Sequence, residues 1–250
     1  MKERLNARSL SQPSTRYSQR NLRWSLGAVA LTLLVTAELP AVADAGASSR
    51  SAAIAEASKV LIVKSDFPAG WTTSPSDNSN SDLGDAQVAA CLGVPVSALK
   101  YNPPSAYSPD FNFKSTGASV SDDVSVFPNA TTEHEQVSIY SSARTPVCFA
   151  RALNTPSLKR TFERQIGTGA KLGVSSATWL ARPKVGDGAT ALKMSIPFTY
   201  RGASYSLTIT VVTMVSRLVA AQLTFTTDGT VSIPSSLAAH LEAVTAQRLM

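Results

Sequence analysis

The chain has 250 residues, 44% hydrophobic and 16% charged, with 23 basic residues against 17 acidic and a formal net charge of +6. That composition is rich enough in apolar side chains for a sizeable core and excludes a highly charged disordered chain. The positive excess is unevenly spread, so what it says about partners depends on the N-terminus.

Lys2, Arg4, Arg8, Arg16, Arg20 and Arg23 form a basic leader relieved only by Glu3, and Leu26 to Ala37 (LGAVALTLLVTA) then runs without a charge. A membrane-spanning helix needs roughly 20 apolar residues. This run is shorter and has the length of a signal-peptide core. Ala43-Asp44-Ala45 places small residues where a signal peptidase reads, so residues 1–45 are expected to be a signal peptide cleaved after Ala45. An uncleaved signal anchor is the alternative, because Glu38 and Pro40 make an unusual approach to the cleavage site. The first cysteine is Cys91, too far on for a lipid anchor, and Ser18-Gln19-Arg20-Asn21 lacks the adjacent arginines of a twin-arginine signal. The expected location is secreted or cell-envelope, with membrane contact only through the N-terminal segment if it stays uncleaved.

Residues 46–250 then hold 17 basic and 14 acidic side chains, a net charge of +3, so much of the basic balance belongs to the leader. No dense Lys/Arg run interleaved with aromatics follows, and no nucleic-acid partner is expected. Two cysteines, Cys91 and Cys148, lie in a part of the chain destined for an oxidising compartment. That favours a disulfide over two buried thiols. Closing so long a loop stabilises by about 4 kcal/mol on chain-entropy arithmetic. Their spacing, without companion ligands, fits neither a CxxC redox pair nor a zinc site.

Gly46 to Ser51 reads as a short polar linker, followed by one domain over 52–250. Ile54, Ala57 and Leu61 recur at helical spacing, predicting a helix over 52–63. Pro68 and Gly70 end it, and Phe67 and Trp71 are expected to fold back onto the core. Ser74 to Gly84 is a loop. Asp85 is placed to cap a short helix, Ala86 to Leu92, stopped by Gly93. Residues 102–116, with three prolines and no clear period, read as an ordered loop. Val120, Val124 and Val126 alternate as a strand. Thr132 and Glu135 match a capping box opening a helix through Val137 and Tyr140. Pro146 interrupts it, and a fresh segment carries Cys148 and Phe149. Thr155-Pro156 opens a third helix with Leu158, Phe162 and Ile166 as its apolar stripe.

After Gly173 the period becomes two. A strand around Thr178 to Pro183 precedes Leu192, Met194, Ile196, Phe198 and Tyr200. Arg201-Gly202-Ala203 turns into Tyr205, Leu207, Ile209 and Val211. A turn near Ser216 leads to Val219, Ala221, Leu223 and Phe225, and Asp228-Gly229 ends the run. This predicts an antiparallel meander with one buried and one wetter face. Pro234 starts an amphipathic C-terminal helix whose Leu237, Leu241 and Val244 face inward. The expected fold class is α+β, an antiparallel sheet packed with several helices and braced by one disulfide in the helical layer.

The helix ending in DFPAGW, the short helix bearing AACLG, the helix with VCFARAL, the closing meander and the C-terminal helix together resemble a group of exported actinobacterial domains. That group includes the extracytoplasmic sensor domain of PknH-type serine/threonine kinases and secreted or lipid-anchored relatives. The resemblance spans most of residues 52–249. It implies an antiparallel sheet flanked by helices, a ligand-taking cleft, and a family disulfide matched by Cys91 and Cys148. It supplies no catalytic residues. This chain has no kinase domain and no second cysteine pair, which leaves the geometry of any cleft open.

Catalytic machinery is not legible. No G-x-S-x-G elbow occurs. His134, beside Glu133 and Glu135, and His240, in the last helix, read as helix residues rather than bases. Asp77, Asn78, Asn80, Asp82 and Asp85 crowd one loop with hard oxygens but lack the glycine and closing glutamate of a calcium loop. Asp122-Asp123 reads as a polar strand position or bulge. Gly167, Gly169 and Gly173 lie between a helix and a strand, the wrong order for a phosphate loop. Trp71 and Trp179 are expected in the core, and Tyr101, Tyr107, Phe111 and Phe113 as an exposed apolar surface for binding. The expectation is a non-enzymatic binding or sensing module, without cofactor or metal. Its partner would be an unidentified small apolar, lipid or glycan ligand, or an envelope protein. A secreted hydrolase of unfamiliar design and a structural or adhesive envelope protein are the alternatives.

Overall fold

A long stretch of period-two sequence must be covered by something, and in the computed structural model it is covered on both sides. The structure describes residues 45–76, 84–113, 117–181, 188–229 and 232–250, with side chains of the first helix from Ser49 onward. The expected signal peptide lies outside the described residues except for Ala45. In chain order the elements begin with α1 (Ala45–Val60), a 3-10 turn (Lys64–Asp66), β1 (Trp71–Ser74), α2 (Asp85–Leu92) and α3 (Val96–Leu99). Next come β2 (Ser105–Tyr107), β3 (Asp110–Phe113), β4 (Ala118–Val126), α4 (Ala130–Ser141), α5 (Thr145–Leu153) and α6 (Pro156–Ile166). The chain closes with β5 (Lys171–Leu172), β6 (Ser176–Trp179), β7 (Gly188–Tyr200), β8 (Ala203–Ser216), β9 (Val219–Thr227) and α7 (Ser235–Leu249).

Among the described residues the strands form one nine-stranded antiparallel sheet in the order β1-β3-β4-β9-β8-β7-β5, with β2 also on β4 and β6 also on β7. The α+β class, the C-terminal helix and the Cys91–Cys148 disulfide joining α2 to α5 are as expected. The meander is β7, β8 and β9. Arg201 and Gly202, both at positive φ, make the two-residue turn between Tyr200 and Ala203. A tight hairpin demands that conformation.

The meander has a core on each face, and the expected wetter stretch runs along part of one of them. Val212, Met214, Ala221, Leu223 and Phe225 pack on one side with Ala57 and Val60 of α1, Phe67, Trp71 and Phe111, and with Leu237 and Leu241 of α7. Leu192, Met194, Ile196, Leu207 and Ile209 pack on the other with Val88 of α2, Phe149 of α5, and Leu158 and Phe162 of α6. The first core ends at Ala191 and Val212; beyond them on the same face Lys193 and Thr199 of β7 and Ser204 of β8 are exposed, so that face keeps a wet end.

The linker and two further readings are corrected. Gly46 to Ser51 lies inside α1, where Ser49, Arg50 and Ser51 are exposed. The reading of 102–116 as a loop fails over 105–107 and 110–113, which are β2 and β3: Pro103, Pro104 and Pro109 flank these strands rather than interrupt them, and residues 114–116 lie outside the described residues. Each short strand therefore keeps its ladder. The proposed exposed apolar surface there does not exist. Phe111 is fully buried and stacks on Phe67, while Phe113 packs on Trp71.

Helix starts shift by a few residues. Gly84, in the left-handed region, precedes α2, and Asp85 is its first residue. The helix dipole favours a carboxylate there. Gly93 closes the helix as expected. The α4 cap is Asn129, whose Oδ1 accepts from the Thr132 amide at 2.9 Å, rather than Thr132 with Glu135. Asparagine is as good a cap as threonine and stood three residues earlier. Thr155 and Pro156 do open α6, and Leu158, Phe162 and Ile166 are its buried stripe.

Candidate functional site

The sheet face under α2, α5 and α6 changes character along its strands. Leu207 and Ile209 of β8 are core, but further along the same face the strand carries Thr213. Register places Thr213 in one row across five strands: Tyr107 of β2 opposite Asp123 of β4, then Gln222 of β9, Thr213, and Thr190 of β7. The row two residues along is Ser105, Ser125, Ala220, Val215 and Gly188. Ser105 and Ser125 share a hydrogen bond of 2.8 Å between their hydroxyls.

Above these rows lies α4, and it does not close down on them. None of its residues is buried, whereas α5 beside it buries Cys148, Phe149, Ala152 and Leu153. The result is a cavity of about 200 Å³. Asp123, Gln222, Thr213, Thr190, Ser125, Ala220 and Val215 form the floor, and Gln136, Val137, Tyr140 and Ser141 of α4 form the roof. Tyr101 and Phe127, stacked 9° from parallel with centroids 6.2 Å apart, make one wall.

Asp123 carries the one carboxyl among the described residues lining this space. Its Oδ1 is buried and has no hydrogen-bond partner among them. Burial pushes this carboxyl up to about 8, and the neighbouring Asp122 carboxyl adds repulsion. Both influences disfavour the charged form. Tyr107 is raised to about 12, first by burial and then by Asp123. Burial and Asp85 raise Tyr140 as well.

Asp122 points the opposite way, as strand geometry requires of consecutive residues. It is 3% exposed, and its Oδ2 accepts from the Ile62 amide at 3.1 Å. Burial raises this carboxyl too, opposed by the Ile62 amide and by Arg248. The reading of Asp122-Asp123 as strand positions therefore holds, with two additions: both are desolvated, and they serve different faces. A perturbed carboxyl lining a partly apolar cavity marks a candidate site with a physical rationale.

Several expected candidates lie elsewhere. His134 and His240 are exposed and line no part of the cavity. Trp71 is core, and Trp179 packs against the second core. Of the expected aromatic surface, Tyr101 alone lines the cavity. Of the oxygen-rich loop, Asp77, Asn78, Asn80 and Asp82 lie outside the described residues, and Asp85 is buried at the start of α2. No His, Cys, Asp and Glu grouping able to hold a metal occurs among the described residues. No helix among them is long and apolar enough to cross a membrane. Cavity residues such as Gln222 and Thr213 were unreadable in the sequence, because nothing in it shows that polar positions on separate strands share a row.

The chain matches no protein-family model, and no curated protein matches it.

Proposed function

We propose that this protein is a non-enzymatic binding module exported by its N-terminal leader, and that the cavity beneath α4 is its ligand site. The carrying observation is the pairing of an unfilled space of about 200 Å³ with a single desolvated carboxyl, Asp123, among the described residues that line it. A carboxyl held against its desolvation cost beside an open space needs an explanation, and a ligand that donates to it is one. The disulfide is in keeping with an oxidising compartment outside the cytoplasm. The lining combines apolar walls with a few convergent polar groups, the usual make-up of small-molecule sites.

The test uses the protein expressed with its own leader and recovered from the extracytoplasmic fraction. Native and denaturing mass spectrometry would identify any small molecule carried by the wild type and by Ala220→Phe, whose larger side chain fills the floor. A co-purified small molecule present in the first and lost in the second supports the cavity as the site. Wild-type protein that is empty, or that keeps its passenger when Ala220 is enlarged, would remove the cavity from consideration.

A further inference from the structure

The cavity's lining also restricts the chemistry of what it can hold. No lysine, arginine or histidine occurs among the described lining residues, so no cation lines the space to pair with an anionic ligand. What does occur is one carboxyl, Asp123, with Tyr101, Phe127 and Tyr140 around it. A carboxylate paired with aromatic faces is the arrangement that attracts an organic cation, by a charge-assisted hydrogen bond and by the negative faces of the rings. Gln222, Gln136 and Thr213 line the space too, and their oxygens accept from an N–H. Val137, Val215 and Ala220 supply apolar surface for the remainder of the molecule. An apolar cavity of about 150 Å³ takes benzene. By the same scaling, this slightly larger space suits a molecule of roughly eight non-hydrogen atoms.

Resting on the cavity reading above, we infer that the ligand is a small amphiphilic primary amine whose ammonium group hydrogen-bonds to Asp123 and whose apolar body lies under α4 between Tyr101, Phe127 and Val137. Binding carries a proton signature. The free protein holds Asp123 protonated near neutrality, since burial has raised it. An ammonium ion in the cavity stabilises the carboxylate, so the Asp123 proton leaves to the buffer as the complex forms. The other titratable groups facing Asp123 are Tyr107 on β2, Tyr101 and Tyr140, all raised and neutral at pH 7. Arg50 of α1 acts on Tyr101 and Tyr107. Asp122 is adjacent in sequence, on the other face.

The experiment is calorimetric titration of the recovered protein with phenethylamine, 2-phenylethanol and phenylacetate, at pH 7 in buffers of different ionisation heat. The amine is expected to bind at least about tenfold more tightly than the alcohol, the ratio a charge-assisted hydrogen bond supplies, with close to one proton released per amine. Phenylacetate is expected to bind most weakly. Asp123→Asn should remove the tenfold preference, while Asp122→Asn, which removes the lesser cause of the Asp123 shift, should reduce the proton release without abolishing it. Equal affinity for amine and alcohol, no proton release, or release that disappears with Asp122→Asn would each overturn the amine assignment. If the alcohol binds as tightly as the amine and Ala220→Phe abolishes both, the cavity reading stands and the amine class falls. If none of the three probes binds the wild type, the amine class also falls, and the co-purification result alone decides the cavity. Should Asp123→Asn fail to fold, the wild-type proton count decides the assignment by itself.

Discussion

Replacing Asp122 by asparagine should make the protein more stable in mild alkali, against the usual expectation for a change in a buried hydrogen-bonded residue. Its carboxyl is fully desolvated, accepts from the Ile62 amide, and has no partner for Oδ1 among the described residues. Burial lifts it from 3.8 to about 7. An acid raised in the folded state binds its proton more tightly there than in the unfolded chain. Stability is therefore highest below the unfolded value and falls as pH rises between about 4 and 7. At roughly 1.4 kcal/mol per unit, the full shift corresponds to a ceiling of about 4 kcal/mol. Asparagine keeps the acceptor for Ile62 but introduces an amide donor, whose burial costs about 1–3 kcal/mol. The net gain at pH 9 should be about 2 kcal/mol, turning to a loss of about 1 kcal/mol at pH 4.5, where the wild-type acid is neutral. Urea unfolding at pH 4.5, 7 and 9 measures this directly. A crossover between the two proteins is the signature, over a wild-type stability that declines with pH. A wild type equally stable at all three pH values, or a variant less stable at pH 9, would refute the idea that this carboxyl is held against its burial cost.

Other consequences are more direct. Cys91 and Cys148 are 57 residues apart in sequence. Reducing their bridge, or replacing both by serine, should therefore cost up to about 4 kcal/mol in urea unfolding. Equal stability of oxidised and reduced protein would show that the bridge does not constrain the unfolded chain. Arg248 of α7 donates to the Leu61 carbonyl at 2.7 Å and makes a two-pronged pair with Asp66 at 2.8 and 2.9 Å. The two side chains are 28% and 11% exposed. Arg248→Ala should cost about 2 kcal/mol, and a loss below about 0.5 kcal/mol in the same unfolding assay would mean that solvent replaces the pair. In native-state hydrogen exchange, the α4 amides should exchange well before those of α5 and α6, since α4 buries no residue. Equal protection would indicate that α4 is held by more than its packing.

Period-two and capping signals carried the reading of the meander, α6 and α7, because each depends on residues close in sequence. Leu158, Phe162 and Ile166 announce a helix whatever lies opposite them. Failures came where the answer depended on residues far away. Proline content made 102–116 read as a loop, yet β2 and β3 are strands because β4 stands ready to pair with both. Phe111 looked like part of a surface because its stacking partner, Phe67, lies far back in the sequence; only the fold brings the ring centroids to 4.3 Å. The site was hidden for the same reason. Asp123 is visible as an acid in a strand, but its meaning comes from Gln222 and Thr213 lying beside it in register and from a helix that fails to pack above it.

That failure to pack follows from the floor. Along β8 the face is apolar at Leu207, Ile209 and Val211 and carries Thr213 next; along β4 the positions in the rows of Val211, Thr213 and Val215 are Ser121, Asp123 and Ser125. A helix descending onto the apolar end gains about 25 cal/mol for each Å² of hydrocarbon it covers, and α5 and α6 take that gain with Phe149, Leu158 and Phe162. Over the end that carries Asp123 and Gln222 the same descent would strip water from both, a cost that contact with Val215 and Ala220 has to offset. So α4 stays above the floor with Val137 and Tyr140 half-buried. The space between them is thus a product of where the sheet's row of polar side chains falls. Apolar residues at 123, 213 and 222 together would let α4 settle and extend the second core across the whole face. The stability forgone by keeping Asp123 in place of such a residue is the physical reason to look for a ligand that satisfies it.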